Sequence, residues 1–168
     1  MPLRIMPSMT LALLAALAAT PVGRTLPAQA SAVRALDGEW IYVEDRTDGR
    51  ALEQLGPPMS STFAMRVEPD AVILARGHGS GHVNVRIALD GSITTITEPT
   101  QLVHYRGAWK DGAFSYQVDF VRSTSTTPDH TIRREFRNTA EGLLVRAVSA
   151  ATGPYESVAL YQHAADIA

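Results

Sequence analysis

Short segments in which apolar and polar residues alternate follow one another from Gly38 almost to the C-terminal end of the chain. Alternation with a period of two is typical of a β-strand that buries one face. The clearest case is the segment 114–120, where aromatic or apolar residues alternate with Ser115, Gln117 and Asp119. The predicted strands are residues 39–44, 62–68, 71–76, 83–89, 93–97, 102–110, 114–120, 131–137, 143–149 and 157–163.

Turn-forming residues separate these strands. Pro69-Asp70, Asp90-Gly91 and Asp111-Gly112 each fit a tight connection between antiparallel neighbours. Asp-Gly is a favoured pair for a two-residue hairpin. Asp90-Gly91 therefore predicts that the segment 93–97 pairs back on the segment 83–89.

The order of the elements predicts the fold class. Hairpin follows hairpin with no long crossover, which favours an up-and-down meander, and closing a meander into a barrel removes its exposed edges. One or two helical turns at residues 51–55 interrupt the pattern, and Gly56-Pro57-Pro58 ends them because proline cannot continue a helix. We predict an all-β protein, a single antiparallel up-and-down β-barrel of roughly eight to ten strands with a short helical turn after the first strand.

The first thirty residues have the layout of a secretory signal peptide. Arg4 precedes an apolar run at residues 9–19, and Ala28-Gln29-Ala30 fits the small-x-small cleavage pattern. The run is far shorter than the roughly twenty residues that a membrane-spanning helix needs. We therefore divide the chain into a signal peptide, residues 1–30, and one barrel domain, residues 31–168. We expect a secreted or periplasmic protein with no stable membrane span after cleavage; an uncleaved anchor or a buried N-terminal helix is the alternative.

Composition narrows the function classes. The chain of 168 residues contains no cysteine, which excludes disulfides, thiol catalysis and cysteine-ligated zinc. Its formal net charge of -2 gives no electrostatic drive toward nucleic acid or anionic lipid, so we expect no nucleic-acid partner. Hydrophobic residues make up 45% of the chain, an ordinary value that separates it from disordered chains.

Four segments resemble lipocalin-like proteins of bacteria. Gly38-Glu39-Trp40 has their Gly-x-Trp opening, residues 107–112 look like their mid-barrel hairpin, and residues 141–146 with residues 157–161 look like their closing strands. The resemblance implies an extracytoplasmic barrel that often has a cavity for a small apolar ligand.

Two arginines, Arg134 and Arg146, alternate with apolar residues along their strands. Their side chains are therefore predicted to point into the barrel. The resemblance implies that one of them covers the ring of Trp40, which plugs one end of the barrel. A buried arginine needs a partner or an aromatic face to offset its desolvation, and Glu44 is the candidate partner. The alternative is that both arginines lie at the barrel rim with their charged ends in water.

The same alternation defines an inward-facing set. Its members are Phe63, Met65, Val67, Val72, Leu74, Val83, Val85, Ile87, Phe114, Tyr116, Val118, Phe120, Ile132, Phe136, Leu144, Val148, Val158 and Leu160. A barrel of this size holds either packed side chains or one small ligand, and both hypotheses stay open. The candidate ligand-binding residues are Tyr42, Phe63, Met65, Tyr116, Phe120, Arg134 and Phe136, with Tyr105 as a further polar group.

No catalytic residue, cofactor or metal ligand is assigned. His78 and His82 stand four apart, but the glycines around them make a helix implausible, since each costs about 1 kcal/mol in a helix interior. We interpret both as loop residues, with a metal site as the alternative. Ser80 lacks the Gly-x-Ser-x-Gly pattern of a catalytic elbow.

The sequence thus predicts an exported lipocalin-like protein that binds a small apolar molecule in the barrel interior. Two alternatives stay open. One is a structural or partner-binding envelope protein with a filled barrel and no ligand. The other is a barrel-type enzyme with Arg134 and a tyrosine or histidine as its polar groups.

Overall fold

A computed structural model describes residues 27–48, 57–76, 83–149 and 155–167. The elements are α1 (Pro27–Arg34), β1 (Gly38–Asp45), β2 (Thr62–Val67), β3 (Ala71–Arg76), β4 (Val83–Ala88), β5 (Asp90–Thr97), β6 (Gln101–Lys110), β7 (Ala113–Arg122), β8 (His130–Thr139), β9 (Gly142–Ser149), β10 (Tyr155–His163) and a final 3₁₀ turn (Ala164–Asp166). The helical turn predicted at residues 51–55 lies outside the described residues. Within them, no helix has the length and apolar character needed to cross a membrane.

The ten strands form one antiparallel sheet in the order β4-β3-β2-β1-β10-β9-β8-β7-β6-β5. Pairing of the first strand with the last joins the two halves of the meander. The end strands β4 and β5 meet side by side, where the Thr94 hydroxyl donates a hydrogen bond to the Arg86 carbonyl oxygen (2.8 Å). The predicted all-β, up-and-down barrel is therefore confirmed, as a nearly closed barrel.

The hairpin predicted at Asp90-Gly91 is wrong. β5 begins at Asp90 and pairs with β6, whereas β4 pairs with β3. The dipeptide forms a bulge instead: the register with β6 shifts between Asp90 and Ile93, and Gly91 has a φ of 83°. The Ser92 N–H closes the bulge by donating to the Asp90 carboxylate (2.8 Å). Because glycine readily adopts a positive φ, Asp-Gly fits a bulge as well as a hairpin turn. The dipeptide therefore does not distinguish between these two structures.

The inward set is confirmed over β2 to β8 for most of its members. Those buried are Phe63, Met65, Val72, Leu74, Val85, Ile87, Phe114, Tyr116, Val118 and Phe136, while Val67, Phe120 and Ile132 are half-buried. The side chain of Val83 lies outside the described part of the chain. Alternation identified the buried face wherever one face of the strand is polar.

For β9 and β10 the predicted face is the wrong one. Leu144, Val148 and Val158 are half-buried on the outer face, and Leu160 has the same orientation although it is buried. The inward positions belong to Leu143, Val145, Ala147, Ser149, Ser157, Ala159 and Tyr161. Both strands contain consecutive apolar residues, at 143–145 and 158–161, so the sequence has no clear alternation there. A one-residue error in such a strand exchanges its two faces.

The partners predicted for the two arginines are also wrong. Arg146 points outward, and its guanidinium binds both carboxylate oxygens of Glu156 (2.6 and 2.8 Å). Glu44 is exposed and pairs with Arg46 (2.9 Å). A register shift in β1 between Tyr42 and Glu44 moves Glu44 off the face that Tyr42 occupies.

Trp40 is buried at the end of the barrel where β8 turns into β9, which we call the plugged end, but no arginine of the described residues covers its ring. Its indole N–H donates to the Leu36 carbonyl oxygen (3.0 Å). The ring of His163 packs edge-on against the indole, with ring centroids 5.3 Å apart. His163 is opposite Trp40 in the β1–β10 register, so the chain places it where Arg134 or Arg146 was expected.

Replacing Gly38 with alanine should destabilise the barrel by about 3 kcal/mol, combining backbone strain with overpacking. Gly38 has a φ of 131°, and a Cβ there would collide with the His163 ring. Gly112 is the matched control, because its φ is also positive (75°) but its Cβ would meet no atom within 4 Å. Gly112→Ala should cost only about 1 kcal/mol. Urea unfolding followed by tryptophan fluorescence measures both, and equal losses would show that the contact with His163 contributes nothing.

Candidate functional site

Aromatic side chains pack against one another in the middle of the barrel. Phe136 stacks on Tyr116 with centroids 5.7 Å apart and planes inclined by 19°. Phe63 meets Phe136 and Tyr161 edge-on, at 5.9 and 5.0 Å. Three candidate ligand-binding residues, Phe63, Tyr116 and Phe136, therefore lie together, brought there by β2, β7 and β8.

The segment before β2 inserts into this interior. Met59 is buried, and two hydrogen bonds join its backbone to the Tyr161 hydroxyl. The Met59 N–H donates to the hydroxyl oxygen (3.2 Å), and the hydroxyl donates to the Met59 carbonyl oxygen (3.3 Å). The Tyr116 hydroxyl donates to the Met59 sulfur (3.6 Å). We call residues 57–60 the inserted segment. Sequence analysis missed it, because Gly56-Pro57-Pro58 indicated only where a helical turn ends.

Arg134 faces the interior, as its alternation predicted. Its Nε donates to the Pro58 carbonyl oxygen (2.7 Å) and its Nη1 to the Tyr116 hydroxyl (3.5 Å). The guanidinium carbon lies 5.8 Å from the centre of the Tyr116 ring. Among the described residues no carboxylate pairs with Arg134, so its positive charge meets only neutral oxygens and an aromatic face.

A second inward arginine, Arg76, was not among the predicted site residues. It is opposite the buried Phe63 in the β2–β3 register, and its guanidinium lies close enough to Tyr105 to act on that hydroxyl. Burial raises the pKa of Tyr105, and the charge of Arg76 opposes that rise. Arg76 continues the alternation of Val72 and Leu74, and this signal in the sequence could have identified it.

The remaining predicted residues are more widely distributed. Tyr42 is half-buried and meets Tyr161 edge-on at 5.9 Å, and Met65 is buried in the same core. Phe120 lies four residues beyond Tyr116 along β7, about 13 Å away, and packs against His130 with centroids 5.6 Å apart. Met65 is opposite Gly38, toward the plugged end, whereas Phe120 is opposite His130, toward the other end. The seven residues are therefore spread along the inner wall of the barrel rather than gathered in one pocket.

The described histidines lie in three separate places. The His130 Nε2 is 3.3 Å from the hydroxyl of the buried Ser149, His104 bonds Thr95 on the outer face (2.9 Å), and His163 lies at the plugged end. None of these three joins Arg134 and Tyr116. Within the described residues no group of three or more metal-capable side chains occurs. His78 and His82 lie outside them.

Comparison with known proteins identifies the fold. No family model matches the sequence, and no curated protein matches it. Forty-five chains of solved structure match the fold. One is a secretary abundant heat soluble (SAHS) protein from Ramazzottius varieornatus, with a TM-score of 0.53 and 13% identity over 78% of this chain and 96% of that chain. The barrel is lipocalin-like. At this identity the likeness shows the fold alone, and the lipocalin-like part of the predicted resemblance is thereby confirmed.

The buried tyrosines of this lipocalin-like barrel should make it sensitive to alkali. Burial raises the pKa values of Tyr161, Tyr105 and Tyr42, most strongly that of Tyr161. A tyrosine whose pKa is higher in the folded than in the unfolded state stabilises the fold as long as its hydroxyl is protonated. Stability is therefore complete below the unfolded tyrosine pKa of about 10 and falls as the pH rises above it.

Absorbance at 295 nm and far-ultraviolet circular dichroism, followed together from pH 8 to 12, measure this effect. Ionisation of the buried tyrosines should coincide with loss of strand structure, and Tyr161→Phe should make stability fall less steeply with pH. Reversible ionisation of every tyrosine near pH 10 with the fold intact would contradict the prediction.

Proposed function

We propose that the protein binds a small, mostly apolar molecule with one acidic group in the barrel interior. The observation that supports this is the pair of inward arginines, Arg76 and Arg134, which have no carboxylate partner among the described residues. A partly buried cation in apolar surroundings is stabilised by a counter-charge. A carboxylate on the ligand would supply it.

Arg134 is the better placed of the two to bind such a group. Its Nε is held by the Pro58 carbonyl and its Nη1 by Tyr116, while its Nη2 has no bond to a described residue. A guanidinium fixed in this way is oriented before the ligand arrives, which reduces the entropy lost on binding. The apolar part of the ligand would then lie along the wall toward Val118 and Phe120.

A carboxylate probe and its neutral counterpart test this proposal. Dansyl-undecanoic acid should bind the wild-type protein and bind Arg134→Ala roughly 10- to 100-fold more weakly, because a hydrogen bond to a charged group contributes about 1.5–3 kcal/mol. The methyl ester should bind both proteins with similar affinity. Fluorescence titration measures each Kd. Arg122→Ala is the matched control, since Arg122 pairs with Asp129 on the exposed surface (2.7 Å).

A filled barrel that binds no ligand is the second candidate function. The observation in its favour is that the inserted segment and the aromatic cluster occupy the centre of the barrel, with Met59 almost fully buried. In that case neither probe binds the wild-type protein, and the protein acts through its outer surface. Equal weakening of the acid and the ester by Arg134→Ala would instead point to loss of packing and remove the role proposed for the charge.

We further propose that the protein is exported and cleaved after Ala30. Contacts beyond this point fix the start of the barrel domain: Val33 and Leu36 are buried, and the Leu36 carbonyl accepts the bond from Trp40. Cleavage would shorten α1 and leave these contacts in place. Intact mass measurement of protein from the medium or the periplasm should show a chain that begins at Ser31. An uncleaved chain in the cytoplasm would contradict the proposal.

A further inference from the structure

We propose that the outer wall over β6, β7 and β8 contains a second binding site, for a small molecule with two separated oxyanion groups, carboxylates or phosphates. Arg106 and Arg133 would bind the two groups. The site lies on the opposite face of the sheet from the barrel interior, so it does not depend on the ligand proposed there.

The charge pattern of the outer wall distinguishes these two arginines. Six outward arginines each have a carboxylate oxygen within 3.1 Å: Arg46, Arg66, Arg86, Arg122, Arg137 and Arg146. Arg106 and Arg133 are the exceptions on the described strands, since neither pairs with a carboxylate of the described residues. Two cations without a carboxylate partner on one part of the surface favour an anionic ligand, although the chain as a whole has a formal net charge of -2.

The sheet register places the two cations in one row. Arg106 is opposite Gln117 on β7, and Gln117 is opposite Arg133 on β8. All three side chains point outward, because the neighbouring positions Tyr105 and Tyr116 are buried. Two strand spacings separate the Cα atoms of the arginines by about 10 Å, which fits two charged groups joined by a short linker.

A hydrogen-bond chain orients Arg133. The Asp119 carboxylate accepts bonds from the Gln117 amide nitrogen (2.8 and 3.0 Å) and from the Thr131 hydroxyl (2.7 Å). The amide of Gln117 is thereby turned so that its oxygen accepts from the Arg133 Nε (3.0 Å). The terminal nitrogens of Arg133 have no bond to a described residue. They are therefore held in place to bind an oxyanion, which a planar guanidinium does with two parallel bonds.

The surface between the arginines is concave. Ala108 and Ser115 occupy the next row of the register, and their small side chains leave a groove with a cavity volume of about 540 Å³. That volume lies within the range of small-molecule sites. Two acids lie at the groove, and neither pairs with Arg106 or Arg133. Glu135 lines the groove and is paired with Arg137 (3.0 Å), and the Asp119 carboxylate accepts its bonds from Gln117 and Thr131.

A length series of dianions tests the site. Isothermal titration calorimetry would compare α,ω-dicarboxylates from succinate to sebacate, alkane bisphosphonates of the same lengths, and acetate as the single-charge control. We expect one chain length to bind best, acetate to bind at least tenfold more weakly, and Arg106→Ala and Arg133→Ala each to weaken the best ligand at least tenfold. The stronger of the two series identifies the anion chemistry.

The matched control is Arg66→Ala/Arg122→Ala, which removes the same charge from the outer wall away from the groove. It should bind the best dianion like the wild-type protein. Arg106→Ala/Arg133→Ala should still bind dansyl-undecanoic acid if the wild type does. Absence of dianion binding by the wild type would overturn the proposal. Equal affinity at all chain lengths, or equal loss in the control, would also overturn it, because nonspecific charge attraction explains both.

Discussion

Pairing of the first strand with the last is the interaction on which the rest of the structure depends. Eight of the nine strand junctions join strands that are neighbours in sequence, whereas β1 and β10 must meet from opposite ends of the described chain. This junction encloses the interior and brings Tyr161 against Tyr42, Phe63 and the inserted segment. It also sets His163 against Trp40 at the plugged end. Without it the sheet would have a long exposed edge and no enclosed site.

The interior combines an apolar wall with a few polar groups whose bonds come from the chain itself. Tyr161 and Arg134 are satisfied by backbone oxygens of the inserted segment rather than by acids. No buried side-chain nitrogen or oxygen of the described residues is left without a hydrogen bond. The inserted segment therefore has two roles. It fills space at the centre of the barrel, and it fixes the direction in which the guanidinium of Arg134 points.

The sequence predicted the strands because most of them have one polar face, and alternation then identifies both strand and face. Phe114 to Phe120 is the clearest example, and Arg134 was oriented correctly for the same reason. The prediction failed where both faces are apolar, as at Leu143 and Leu144, and where Asp90-Gly91 fits two backbone geometries equally well. Residues 57–60 were beyond sequence reasoning, because their place in the core depends on tertiary contacts with Tyr116, Arg134 and Tyr161.

The bulge at Gly91 has a consequence for how the wall opens. Beside it, the described residues of β4 and β5 form a seam without a backbone ladder, bridged by the Thr94 side chain. One such bond contributes only about 1 kcal/mol, whereas every other junction is a ladder of several. Parting the barrel along the seam therefore breaks far fewer hydrogen bonds than parting it elsewhere. We expect local fluctuations that admit water or a small molecule sideways, between strands rather than past the loops, to occur most readily there.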